Sequence, residues 1–243
     1  MAGRARPLEG ETKEMRRIVL TLGFALTALF ALSTASTEAV NQTFAERFSA
    51  DKKPKQSGTT GIYNFDKAHS FIGFKIKHMG LIEVPGFFRD FTGTVNYNAE
   101  DAGKSSVEFT AKATSIDTGV AGRDRHLRSA DFFDVEKFPD LMFKSTKVEK
   151  RGKNWLVTGD LTIRGVTKTI TFPFDIAGWL PADDRSGGKM GITAETTINR
   201  RDYGVNYGGN LPTGTPVLSD EVKVELQIEA AKARPAVAAA PGE

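Results

Sequence analysis

The segment of residues 221–230, EVKVELQIEA, shows most clearly which fold this sequence specifies. Apolar side chains occupy every second position, and charged or amide side chains occupy the positions between them. A period of two is the repeat of a β-strand, and one apolar face opposite one polar face indicates an antiparallel sheet with a single dry side. The apolar positions of this segment are Val222, Val224, Leu226 and Ile228.

The same alternation recurs along the chain and predicts eight or nine strands, with one short helix near residues 122–136. Two short glycine-containing segments, KRGKN (150–154) and RGVT (164–167), predict hairpin turns. The alternation changes phase between Phe88 and Phe91, which predicts a β-bulge. The other strand candidates are SFIGFKIKH (70–78), GFFRDFTGTVNY (86–97), SVEFTAKAT (106–114), LMFKSTKVE (141–149), NWLVTGDLTIRG (154–165), VTKTITFPFDI (166–176) and GITAETTIN (191–199).

Strands with one apolar face can bury that face by closing into a barrel or by pairing as the two sheets of a sandwich, and closure also removes exposed edges. A strand of about ten residues spans about 33 Å, which is long for a barrel filled only by its own side chains. The chain has 17 Phe against 4 Tyr and 2 Trp, so its interior is expected to be large and dry. The sequence therefore predicts an all-β barrel that encloses a cavity.

Charge and cysteine content exclude several classes of function. The formal net charge is only +3 and both signs are interspersed, which is not the pattern of a nucleic-acid-binding protein. The chain contains no cysteine, so thiol nucleophiles, disulfides and thiolate metal sites are absent. His126 lies two residues from Asp124 and five from Asp131, and side chains two apart on a helix point away from each other. We therefore predict no metal site.

The first 39 residues resemble a signal peptide for export to a bacterial periplasm. Arg16 and Arg17 precede an apolar run from Ile18 to Leu32, which is shorter than the roughly 20 residues of a membrane span. A membrane anchor is the alternative interpretation. Met15 suits the true start, with residues 1–14 an over-extended beginning. We predict a linker over residues 40–60, a folded domain over residues 61–231 and a disordered tail over residues 232–243.

Five stretches together resemble the bacterial YceI-like lipid/polyisoprenoid-binding proteins. The resemblance covers essentially the whole of residues 61–231 and implies an extended lipocalin-like antiparallel β-barrel of about eight strands with a short helical plug. It also implies an enclosed amphiphile with a long isoprenoid or acyl chain, and no other cofactor. The stretches are YNFDKAHSFIGFKIKHMG (63–80), GFFRDFTGTV (86–95), SIDTGVAGRDRHLRSADFFDVEKFPDLMFKST (115–146), GDLTIRGVTKTITF (159–172) and INRRDYGV (198–205).

The inward-facing apolar positions of the strands are the predicted ligand-binding residues. They would line one long cavity for a polyisoprenoid, a quinone or a fatty amide, in a carrier or storage protein without catalytic residues. Transient contact with the inner membrane is expected, and a homodimer is compatible with the sequence. The predicted lining residues are Ile72, Phe74, Ile76, His78, Phe88, Phe91, Val107, Phe109, Phe143, Leu161, Ile170, Phe172, Phe174, Ile192, Val224 and Leu226.

The charged stretch GRDRHLRSADFFDVEKFP (122–139) is predicted to be a structural plug over one end of the barrel. Ser129 or Asp131 would cap a helical turn, and polar side chains would hold backbone that no sheet ladder satisfies. Two alternatives stay open: an isomerase or hydrolase that uses His78 or His126 as a base in the same cavity, and a filled barrel with an adhesion or assembly role. The predicted plug residues are Arg123, Asp124, His126, Phe132 and Phe133.

Export generates the first testable prediction. If residues 15–39 are a cleavable signal, the mature protein begins near Ser36 or Val40, after one of the small residues Ala35 and Ala39. N-terminal sequencing of the protein purified from its native host checks this. A soluble species that keeps Met1 or Met15 would contradict the prediction.

Overall fold

The computed structural model describes residues 58–152, 154–183 and 187–232, and the predicted signal peptide, most of the linker and residues 233–243 lie outside this range. The described chain forms one antiparallel sheet of eleven strands that closes on itself, with one α-helix. The strands and the helix are β1 (Gly61–Phe65), β2 (Phe71–His78), β3 (Ile82–Phe88), β4 (Phe91–Tyr97), β5 (Ser106–Lys112), β6 (Ile116–Asp117), α1 (Ala121–Arg128), β7 (Asp140–Arg151), β8 (Asn154–Ile163), β9 (Val166–Leu180), β10 (Lys189–Asn199) and β11 (Leu218–Lys232).

The eleven strands are segments of eight passes of the chain around the barrel. β1 and β2 belong to one pass, interrupted by the 3-10 turn Lys67–His69, and both pair with β11. β3 and β4 form the second pass, since β3 pairs with β2 and β4 with β1. β5 and β6 form the third, paired with β4 and β3. The predicted barrel of about eight antiparallel strands is thus confirmed, and the two-sheet sandwich is not formed.

Successive passes are neighbours in the sheet, so the barrel has an up-and-down topology with two distinct ends. At the mouth end lie the connections from β2 to β3, from β6 through α1 to β7, from β8 to β9 and from β10 to β11. At the terminal end lie the start of β1, the end of β11 and the connections between β4 and β5, β7 and β8, and β9 and β10. Lys232, placed in the predicted tail, is the last residue of β11.

The turn between β8 and β9 and the break between β3 and β4 were both predicted as irregular positions. The β8–β9 hairpin turns at Arg164 and Gly165, whose φ values of 50° and 75° are those of a type I′ turn, so the predicted RGVT hairpin is confirmed. The predicted bulge between Phe88 and Phe91 is wrong in kind. The ladder stops at Phe88 and begins again at Phe91, because β3 and β4 pair with different segments of the first pass.

Aromatic packing fills the terminal end of the barrel. Trp179 is 9% exposed, and its ring centroid lies 5.7 Å from that of Tyr63 and 4.6 Å from that of Tyr97. The Tyr63 hydroxyl donates a hydrogen bond of 2.8 Å to the Thr59 carbonyl oxygen, and burial raises the pKa of Tyr97. Among the described residues, no helix has both the length and the hydrophobicity to cross a membrane.

The turn between β1 and β2 generates a prediction about pH. The Asp66 carboxylate accepts a 2.8 Å hydrogen bond from His69 Nδ1, and this bond raises the pKa of His69 and lowers that of Asp66. The bridge therefore stabilises the fold above the carboxyl pKa and below the imidazole pKa, and it is lost outside that window. We expect Asp66→Asn to lower the pKa of His69 toward the ordinary value of about 6.5, as measured by NMR titration of the imidazole. Asp101→Asn, at the terminal end, should leave that pKa unchanged; an equal shift in both variants would contradict the assignment.

Candidate functional site

A cavity of about 360 Å³ lies inside the barrel toward the mouth end. Inward side chains of the strands line most of it, and the segments of residues 118–133 and 200–217 contribute the rest. Its apolar wall follows from the period of two, which sends every second side chain of each strand to the interior. The polar lining is confined to a few side chains: His78, Thr118, Arg123, His126, Thr196, Arg200, Tyr203 and Tyr207.

A second cavity of about 80 Å³ lies nearer the terminal end and is lined by Trp155, Tyr97 and Met190, among others. Five side chains line both cavities and so form a partition between them. Phe143 stands at its centre, with its ring centroid 5.6 Å from that of Phe109 and 5.4 Å from that of Phe172. We call the two spaces the large chamber and the small chamber. The partition consists of Ile72, Phe109, Phe143, Phe172 and Leu226.

The predicted lining residues are divided between these chambers. Phe91 lines neither chamber, because it is 4% exposed and packed within the core beside β5. Val107, Phe174 and Ile192 line only the small chamber. The others line the large chamber: Ile72, Phe74, Ile76, His78, Phe88, Phe109, Phe143, Leu161, Ile170, Phe172, Val224 and Leu226. Whether these residues contact a ligand stays a prediction.

Several lining residues were missed by the sequence analysis. Val222 and Ile198 share the inward faces of their strands with the predicted Val224 and Ile192, so following the alternation to the strand ends would have found them. Tyr203, Val205 and Tyr207 belong to an irregular segment without periodicity, so the pattern contained no signal for them.

The α1 plug is held by a carboxylate in its first turn. Asp124 is 7% exposed and accepts hydrogen bonds from the Thr118 backbone N–H at 2.9 Å and from Thr118 Oγ1 at 2.5 Å. Arg123 donates to the same threonine, from Nε to Oγ1 at 2.7 Å and from Nη2 to the carbonyl oxygen at 2.6 Å. Ser129 ends the helix, and its hydroxyl donates to the His126 carbonyl oxygen at 2.7 Å. Ser129 also begins the turn that follows α1, where its Oγ accepts a 3.4 Å hydrogen bond from the Asp131 backbone N–H, as expected for a cap.

Three arginines tie the mouth loops together through backbone carbonyl oxygens. Arg128 donates to those of residues 114 and 116, and Arg164 to those of residues 130 and 204. Arg200 is 5% exposed and donates to those of residues 205, 207 and 219, and desolvation lowers its pKa. Because most of its N–H groups are used in this way, Arg200 acts as a structural brace.

Aromatic rings join the plug to the loop of residues 204–217. The ring centroids of His126 and Phe132 are 5.0 Å apart, those of His126 and Tyr207 4.7 Å, and those of Phe132 and Tyr207 4.8 Å. All three rings line the large chamber. Below them, Phe133 meets Phe88 of β3 edge to face at 5.6 Å. The predicted plug residues therefore cover the chamber and also form part of its wall.

The two histidines that line the chamber lack the contacts of a nucleophilic site. His126 Nε2 lies 2.8 Å from Asp131 Oδ2, and the two side chains are 41% and 56% exposed. The hydroxyl of Thr118 is bonded to Asp124 and Arg123. Within residues 58–152, 154–183 and 187–232, no histidine is hydrogen-bonded to a serine or threonine hydroxyl, the contact that would activate a nucleophile.

One group of potential metal ligands was not anticipated. Asp66, His69 and Glu229 place ligand atoms within 4.8 Å of one another near the start of β2, outside the chambers. The Lys189 ammonium already neutralises Glu229 at 2.7 Å, and His69 is bonded to Asp66. Strand pairing created this group, since β11 brings Glu229 beside the β1–β2 turn.

The geometry defines a class of protein: a closed up-and-down barrel with a dry interior and a plug at one end. The sequence model of the YceI-like domain matches residues 63–230. Protein YceI of Escherichia coli O157:H7 is 38% identical over 176 residues, which cover 71% of this chain and 88% of that protein. The chain belongs to the YceI-like family.

Solved structures show the same architecture. The Campylobacter jejuni YCEI protein is 33% identical, with a TM-score of 0.55 over 70% of this chain and 96% of that chain. A polyisoprenoid binding domain from Saccharophagus degradans is 17% identical, with a TM-score of 0.53 over 70% of this chain and 98% of that chain. The second likeness concerns the fold alone.

The Asp124 contacts generate a prediction about the plug. Asp124→Ala leaves the Thr118 N–H and hydroxyl without their acceptor in a buried place, so we expect the free energy of unfolding to fall by about 1–3 kcal/mol. Asp131→Ala removes an exposed partner of His126 and should cost about 0.5 kcal/mol or less. Urea unfolding of the two variants measures the difference. Equal losses would contradict the assignment of Asp124 as the anchor.

Proposed function

We propose that this protein binds an amphiphile with a long apolar chain inside the barrel and carries or stores it in the periplasm. The observation that carries the proposal is the large chamber: an interior space of about 360 Å³ whose wall is almost entirely apolar. Family membership supports it, and so does the shared fold of the polyisoprenoid binding domain. Polyisoprenoids, quinones and fatty amides fit the chemistry of this wall.

Burial of the chain supplies the affinity. Removing apolar surface from water stabilises a complex by about 25 cal/mol per Å², so a chain that buries on the order of 400 Å² gains about 10 kcal/mol before the costs of association. The apolar wall gives little orientation. The few polar side chains of the chamber would orient a headgroup, as sparse polar groups do in other apolar pockets.

His78 and Tyr203 are the polar groups best placed for this purpose. His78 makes no side-chain hydrogen bond to any part of the chain that the structure describes. Tyr203 is 2% exposed, and burial raises the pKa of its hydroxyl, so it stays a neutral donor at physiological pH. Both side chains line the large chamber.

Delivery from a membrane is consistent with the surface at the mouth end. Leu81 and Ile82, at the β2–β3 turn, are 78% and 65% exposed, although both are large and apolar. This turn adjoins the chamber, since His78 and Val84 on its two strands line it. Transient contact of this edge with the inner membrane would let an insoluble chain enter without crossing water.

A charge placed on the inner wall tests the binding function. Phe172 is 6% exposed and belongs to the partition, so Phe172→Asp puts a carboxylate into dry surroundings, where ionisation is costly. We expect variants that still fold to lose at least about tenfold of their bound chain, measured by organic extraction and mass spectrometry of the purified protein.

The neighbouring outward position provides the matched control. Thr171 is exposed on the outer face of β9, where its hydroxyl is hydrogen-bonded to that of Thr158 at 2.8 Å. Thr171→Asp should leave the lipid content as it is. Equal content in the two folded variants would sink the proposal that the inner face binds a chain, and small turnover products in place of an intact amphiphile would favour an enzyme.

A further inference from the structure

Two phenylalanine rings that line the large chamber each occupy the space beside a glycine of the neighbouring strand. Phe74 of β2 is paired with Gly86 of β3, and Phe143 of β7 lies beside Gly159 of β8. An aromatic ring that covers a glycine on the adjacent strand occupies the space of the missing side chain. Both rings line the large chamber, so their positions determine how much of the interior stays empty.

The distances show how closely each ring fills its glycine position. A Cβ added at Gly86 would overlap Phe74 Cζ and lie 2.6 Å from Phe74 Cε1, and a Cβ at Gly159 would lie 2.5 Å from Phe143 Cζ. Real Cβ atoms essentially never approach other heavy atoms within 3.0 Å, so a Cβ at Gly86 must displace the Phe74 ring and also lies 2.9 Å from Thr118 Cγ2. A Cβ at Gly159 must displace the Phe143 ring and also lies 2.5 Å from the Lys144 carbonyl oxygen. A displaced ring cannot move outward, because the backbone of the neighbouring strand lies there. The free space available to a displaced ring is the chamber.

Each ring controls a different dimension of the cavity. Phe74 lines only the large chamber, so its displacement reduces the room at the mouth end. Phe143 is 2% exposed and stands in the partition between the large and small chambers. Removing its ring would join the two spaces and lengthen the interior toward Trp155.

We infer that Phe74 and Phe143, whose rings occupy the space beside Gly86 and Gly159, determine the size of the apolar chain that the barrel accepts. The inference rests on the proposed function and names the residues that give it specificity. Phe143 acts as the stop against which the far end of the chain rests. Phe74 determines the volume available near the mouth.

A series of linear polyprenyl alcohols of increasing length tests this inference. Farnesol, geranylgeraniol and longer polyprenols would be titrated against the delipidated folded protein by displacement of a fluorescent apolar probe. The measured quantity is the ratio of the dissociation constants for the longest and the shortest alcohol that bind. If roughly two methylene groups of an alcohol can no longer be buried in the chamber, this ratio changes on the order of tenfold.

The variants are expected to move this ratio in opposite directions. Phe143→Ala should favour longer alcohols by about tenfold, and Gly86→Ala should disfavour them by about tenfold. Phe74→Ala combined with Gly86→Ala should reverse this loss and bring the ratio to at least the wild-type preference for longer alcohols, since the displaced ring is gone. Because Gly86→Ala strains the β2–β3 pair, Phe74→Leu serves as an independent variant that must favour longer alcohols without adding a Cβ.

Two controls separate size selection from a general loss of stability. Met142 is the outward neighbour of Phe143 and is 45% exposed, so Met142→Ala changes the outer surface of β7. Gly122→Ala adds a methyl group where an added Cβ has open space. Both should keep the wild-type ratio. An unchanged ratio in Phe143→Ala and in Phe74→Leu would overturn the inference while leaving the binding function standing. Failure of the wild-type protein to bind any of the alcohols would instead overturn the proposed function, and the inference with it.

Discussion

The closure of the sheet by β11 is the constraint on which the rest of the structure depends. This strand pairs with β10 along its length, with β2 over its first part and with β1 over its last residues, so one long segment joins the end of the domain to its beginning. Without that seam, eight passes would leave two edges with unsatisfied backbone groups and an apolar face open to water. Closure therefore creates the interior of the barrel. Because the strands are long, the inward side chains do not fill the whole of this interior.

Closure leaves the two ends of the barrel to be sealed by other means. At the terminal end, Trp179, Tyr63 and Tyr97 pack against one another and fill the lumen. At the mouth end the loops have no ladder to satisfy their backbone, and guanidinium groups take over that role. Arg128 ties α1 to residues 114–116, and Arg164 joins residue 130 to residue 204, so the plug is attached through polar contacts at its margin while its aromatic side faces the chamber.

The empty interior is maintained by the way the phenylalanines are accommodated. A core rich in Phe would ordinarily pack to the density of an organic crystal. In this barrel, rings such as Phe74 and Phe143 occupy the space that a side chain would fill at a glycine on the next strand. A third pair, Phe65 over Gly93, repeats the arrangement beside the small chamber. The same residues that supply apolar surface thus leave room for a chain.

The sequence by itself determined the antiparallel strands and their dry faces, because a period of two is a local property that each strand carries independently of its partners. For the same reason it identified most of the inward side chains, from Ile72 to Leu226. Only the tertiary structure decided which of them surround an empty space: Phe91 is packed within the core, and Phe143 became a partition. It also decided the role of Arg200, which braces the loops at the mouth end through backbone carbonyl oxygens. These outcomes depend on contacts between segments distant in the chain, which no local pattern encodes.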